Sequence, residues 1–95
     1  MRLTLVVALA MVSIPAEAQS KKSRGAILCP LISDAKLAAI LIKSGRNDEL
    51  GKLECWGVRA NEELIVIETI GEFSLVAQPA QSMHKGWTHN DWLKP

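Results

Sequence analysis

Leu64-Ile65-Val66-Ile67 and Phe73-Ser74-Leu75-Val76-Ala77, with Glu68 to Glu72 between them, are the residues from which the fold of this chain is read. Both runs are rich in β-branched and aliphatic side chains, and Gly71 lies in the short polar stretch that separates them, so they predict consecutive antiparallel strands joined as a hairpin. In the first run Leu64 and Val66 share one face while Ile65 and Ile67 share the other. A strand apolar on both faces is expected to be covered twice, by a barrel interior on one side and by a helix on the other.

Upstream of Gly57 the apolar residues change spacing. Leu37, Ile40 and Leu41 recur at helical intervals, Ser33-Asp34 offers an N-cap and Gly45 a stop, which predicts a short amphipathic helix over residues 34–44. Asn47-Asp48 begins a turn, and Glu49 to Leu53 suit one further helical turn with Leu50 and Leu53 on the apolar side. Downstream of the hairpin, residues 78–85 read as a loop or irregular edge and Gly86-Trp87-Thr88 as a short returning strand. His89-Asn90-Asp91-Trp92-Leu93 suits one helical turn leading into a short last strand.

The N-terminus carries a different kind of signal. Arg2 is followed by an apolar run from Leu3 to Ile14, interrupted only by Thr4 and Ser13, then Pro15 and Ala16-Glu17-Ala18. A basic start, a short apolar segment and an A-x-A tripeptide describe a cleavable secretory signal. The run is shorter than the roughly 20 residues needed to span a bilayer. Cys29 follows Leu28 and is separated from the apolar run by a basic segment, unlike the acylated cysteine of a lipoprotein. The expected product starts near Gln19 and is periplasmic or secreted, with no stable membrane insertion after cleavage.

Without its first 18 residues the 95-residue chain retains 77, enough for one small core. Its 11 Lys+Arg nearly balance 10 Asp+Glu, which gives no electrostatic footprint for nucleic acid or a membrane surface. The local exception is Lys21, Lys22 and Arg24 among Ser20, Ser23 and Gly25, which predicts a flexible, solvated segment over residues 19–28.

Export decides how the two cysteines are read. Cys29 and Cys55 both lie in the exported portion, and an oxidising compartment pairs an even number of thiols. One disulfide closing this loop contributes about 3.5 kcal/mol in the chain-entropy model. No C-x-x-C is present, and the other soft ligands are His84 and His89, so no metal or other cofactor is expected. The predicted organisation is a signal peptide over 1–18, a flexible segment over 19–28, a disulfide-tethered helical extension over 29–55 and a small β-barrel over 56–95, a mainly β fold.

The order Gly57 to Ile67, Gly71 to Val76 and Gly86 to Leu93 resembles the bacterial Src-homology-3-type domain. In that family a small barrel closes with a Gly-Trp-Val strand and a helical turn ending in an aromatic-Leu pair, places taken here by Gly86-Trp87 and Trp92-Leu93. Residues 29–55 resemble the helical extension that precedes such barrels in small exported proteobacterial proteins. The resemblance implies association with the cell envelope through recognition of peptidoglycan or a peptide, without catalysis. The chain has no Tyr, one Phe and three Trp, so a proline-rich-peptide groove of the eukaryotic type is not expected.

Of the three indoles, Trp56 is expected to pack on the disulfide and Trp92 in the closing turn, leaving Trp87 as the candidate for ligand contact. His84 and Lys85, in the loop beside it, complete the candidate ligand-binding surface. His89-Asn90-Asp91 supplies no nucleophile and oxyanion site in a cleft, and the Glu62-Glu63 carboxylates diverge along a strand, so no catalytic residues are assigned. Two functions follow as expectations. One is a non-catalytic envelope module for peptidoglycan or a peptide, and the other a protein-directed inhibitor or structural partner of an envelope or extracellular protein.

Overall fold

A computed structural model describes residues 19–95, and the predicted signal segment, Met1 to Ala18, lies outside the described residues. The described residues are mainly β with one α-helix. Strands β1 (Gln19–Ser23), β4 (Glu63–Ile70), β5 (Phe73–Gln78), β6 (His84–His89) and β7 (Leu93–Lys94) form an antiparallel sheet in the order β6-β5-β4-β1-β7. Strands β2 (Ile27–Leu28) and β3 (Trp56–Gly57) form a separate two-stranded ladder.

The predicted hairpin is β4–β5. It turns at Gly71-Glu72, where Gly71 adopts φ +60, a left-handed conformation that a glycine takes without a Cβ penalty. The ladder slips between Val66 and Glu68, so Ile67 is bulged out of register. After this bulge Thr69 faces Ser74 and Ile70 faces Phe73, which exchanges the faces of the strand. Leu64 is fully buried, but Ile67 is nearly half exposed, because the helix covers β5 and β6 and not this part of β4. The expectation that both faces of β4 would be covered therefore holds for only part of its length.

The segment expected to be flexible contains a central strand. β1 lies between β4 and β7, pairing Gln19 with Val66, Lys22 with Glu63 and Ser23 with Leu93. Its sequence, Gln-Ser-Lys-Lys-Ser, has no apolar residue; backbone hydrogen bonds on both sides hold it in place. The turn after it is built by Ser23, whose Oγ accepts from the N–H groups of Gly25 at 2.9 Å and Ala26 at 2.7 Å and donates to the Val58 carbonyl at 3.3 Å.

Cys29 and Cys55 form a disulfide with their Cα atoms 4.2 Å apart. In the β2–β3 ladder Ile27 faces Gly57 and Leu28 faces Trp56, so the disulfide occupies the next rung. Residues 30–54 are thus an insertion with its two ends together. It holds α1 (Ile32–Lys43) and a 3-10 turn, Asn47–Lys52. The helix begins two residues before the predicted position, with Leu31 as an N-cap that makes no side-chain bond, and Asp34 falls inside the first turn. It ends as predicted at Gly45, φ +73, where Gly45 N–H donates to Ile42 O and Arg46 N–H to Leu41 O, a Schellman arrangement.

The buried face of α1 is only partly the predicted one: of Leu37, Ile40 and Leu41, Leu41 alone is buried. Ala35, Ala38 and Leu41 are buried, whereas Leu37 and Ile40 are 41% and 60% exposed. Small side chains allow the helix to approach the disulfide and Phe73 closely, and the larger residues stand on the outer stripe. One core holds Leu28, Val58, Leu64, Val76 and Leu93. The other joins the helix to the opposite face of the sheet through Cys29, Ala35, Ala38 and Phe73, with Trp87 packed against it. Trp92 touches both.

The sheet does not close into the barrel expected from the sequence. Cys29 and Trp87 form an isolated antiparallel bridge between the short ladder and the outer edge of β6, and β2 and β3, at two residues each, are too short to complete the circuit. The remaining sequence expectation, a helical turn before a last strand, corresponds to the 3-10 turn Asn90–Trp92 followed by β7.

Candidate functional site

Alternation along β6 determines where its side chains go. Successive residues of a strand point to opposite faces, so His84, Gly86 and Thr88 share one face and Lys85, Trp87 and His89 the other. His84 stacks on Trp56 with ring centroids 4.3 Å apart and planes 8° from parallel. Trp87 is half-buried against the helix-side core. Lys85 is exposed on the Trp87 face. The structure therefore divides the sequence-predicted trio between two faces and does not bring His84 together with Trp87.

Trp56 also departs from its predicted place beside the disulfide. Cys55 precedes it in the strand and faces the helix, so the indole turns to the other core. There its Nε1–H donates to Gln78 Oε1 at 3.0 Å, and Gln78 Nε2 donates onward to Glu62 Oε2 at 2.8 Å. Its ring edge lies against Gly86, where a Cβ would come within 2.9 Å of Cη2. All three indoles are thus engaged in packing: Trp56 with His84 and Gly86, Trp87 with the helix-side core, and Trp92 with both cores.

A groove of about 430 Å³ runs between α1 and the adjacent end of the sheet. Its helix wall carries Lys36, Ile40 and Lys43, at spacings of four and three residues that place them on one stripe. Its sheet wall carries Phe73 from the start of β5, His89 from the end of β6 and Trp92 from the following 3-10 turn. Phe73 meets His89 edge-on at 5.0 Å, and His89 lies 5.6 Å from Trp92. These three rings make one continuous aromatic wall.

Charges rim the groove. Lys36 and Lys43 stand on the helix side, Glu72 and Asp91 on the sheet side. His89 lies between the two carboxylates, with Nε2 3.4 Å from Glu72 Oε1 and Nδ1 3.8 Å from Asp91 Oδ2. The Asp91 backbone N–H donates to Nδ1 at 3.0 Å, so a neutral His89 carries its proton on Nε2, facing Glu72. This bond caps the 3-10 turn and fixes the ring against Phe73.

The sequence reading missed this site. The stripe Lys36-Ile40-Lys43 is visible as helical periodicity, and His89-Asn90-Asp91 as a polar cap, but their juxtaposition depends on how the helix docks. Among the described residues no group of three or more His, Cys, Asp or Glu side chains is placed to hold a metal ion. No helix among them is long and apolar enough to cross a membrane. Comparison with protein-family models, curated proteins and solved structures found no match to this chain.

Proposed function

We propose that this protein is an exported, non-catalytic binding module of the bacterial cell envelope that holds a peptide segment of a partner protein in the groove between α1 and the sheet. The observation that carries this reading is the groove itself, a concave site with an aromatic wall and an exposed isoleucine opposite it. Export is supported by the signal-like Met1 to Ala18 and by the Cys29–Cys55 disulfide. The sequence resemblance around Gly86-Trp87 and Trp92-Leu93 supports an envelope setting. A peptide is favoured over a glycan chain because the groove sets apolar groups and charges of both signs side by side.

Affinity capture tests the proposal. The tagged, exported protein is incubated with periplasmic extract and, separately, with purified peptidoglycan, alongside the Ile40→Glu and Lys85→Ala variants. A stoichiometric protein partner retained by wild type and Lys85→Ala but lost by Ile40→Glu is the expected result. Capture indifferent to Ile40→Glu, or retention by peptidoglycan alone, overturns it. Mass analysis of the exported chain is expected to find its N-terminus at Gln19.

A further inference from the structure

The groove is polarised across its width. Lys36 and Lys43 are separated by seven residues, about 10 Å along the helix axis, which is the span of about three residues of extended chain. Neither ammonium is engaged in a salt bridge among the described residues. The opposite rim is anionic, and the side chains of Glu72 and Asp91 are 82% and 87% exposed. His89 sits between the two carboxylates, its Nδ1 accepting the Asp91 backbone N–H and its Nε2 directed towards Glu72.

Resting on the peptide-binding reading above, we propose that the segment this groove takes is zwitterionic. It carries an apolar side chain for the space between Ile40 and Trp92, an acidic group for the lysine rim and a basic group for the Glu72–Asp91 rim. A uniformly acidic segment would meet like charge at Glu72 and Asp91, and a uniformly basic one at Lys36 and Lys43. The charges act mainly as a filter on which segment binds, because exposed pairs add little affinity while mismatched ones penalise it. A preference of about three- to tenfold per rim is the expected scale.

The test uses the full exported protein and four capped peptides, each with a central leucine flanked by glycines. One carries an aspartate and a lysine on either side of the leucine, one two aspartates, one two lysines and one neither. Titration followed by tryptophan fluorescence is expected to rank the mixed-charge peptide first by about threefold or more. The Lys36→Glu/Lys43→Glu variant should lose that preference and favour the two-lysine peptide, and Glu72→Lys/Asp91→Lys should favour the two-aspartate peptide. All four positions lie at the groove rim, and circular dichroism checks that each variant is folded. Equal binding of all four peptides overturns the polarity and leaves the apolar groove standing. Failure of all four also overturns it, and the Ile40-dependent capture described above then shows whether the peptide-binding reading survives.

Discussion

Cys29 and Trp87 exchange both of their backbone hydrogen bonds, Cys29 N–H to Trp87 O at 2.9 Å and Trp87 N–H to Cys29 O at 2.7 Å. Cys29 therefore belongs to two pairings at once, bonded through sulfur to Cys55 and through its backbone to β6. This residue joins the helical insertion to the sheet, and it holds α1 where the groove needs it.

Reduction of the disulfide is expected to lower the unfolding free energy by about 3.5 kcal/mol, the chain-entropy value for a loop of this length. Urea titration of the oxidised protein against the Cys29→Ala/Cys55→Ala variant measures the difference. Hydrogen exchange should locate the greatest loss of protection in α1, since the β1–β4–β5 ladders do not pass through either cysteine.

Gly86→Ala is expected to destabilise the fold by about 1–3 kcal/mol through overpacking. Its Cβ would lie 2.8 Å from Leu28 Cβ and 2.9 Å from Trp56 Cη2, and the first of these contacts involves an atom fixed to the backbone. Thermal unfolding followed by circular dichroism measures the loss. An unchanged midpoint would show that β2 and β6 can separate at no cost.

Thr88→Val should leave stability unchanged or raise it by about 1 kcal/mol. Thr88 is fully buried and its Oγ1 has no hydrogen-bond partner among the described residues, so the hydroxyl is desolvated without compensation. A Val of nearly the same shape keeps the packing and removes that penalty. A measured loss above about 1 kcal/mol would mean that the hydroxyl is satisfied in solution.

Ser23→Ala is expected to cost about 1–3 kcal/mol, because the buried Oγ accepts two backbone N–H groups and donates to a carbonyl. Chemical denaturation gives the magnitude, and exchange at Gly25 and Ala26 should quicken. Ser20→Ala in the same strand is the control. Among the described residues its hydroxyl bonds only the exposed Glu63 side chain, and the expected change is within about 0.5 kcal/mol.

The hairpin, the helix stop at Gly45 and the closing turn were legible because each is written in local terms: apolar runs, a glycine able to take positive φ, and a polar cap before Trp92-Leu93. β1 was not, since Gln19 to Ser23 offers no side-chain pattern and owes its place to neighbours at least 41 and 70 positions away. The same limit applies to the helix face. Leu37, Ile40 and Leu41 have the right period, but the tight approach to Cys29 and Phe73 selects Ala35 and Ala38. Trp87, His84 and Lys85 lie close together in sequence, and strand alternation puts His84 on the face opposite the other two. The groove draws one wall from residues 36–43 and the other from residues 72–92, so no single stretch of sequence announces it.

The disulfide neck has a consequence for how such a protein can diversify. Because the inserted segment leaves and re-enters the sheet at two Cα atoms 4.2 Å apart, its outer face can change while Ala35 and Ala38 keep the packing on the strands that carry it. The insertion behaves as an exchangeable head on a constant base. Grafting a helix with a different outer face between Cys29 and Cys55 would give the same sheet wall a new opposing surface.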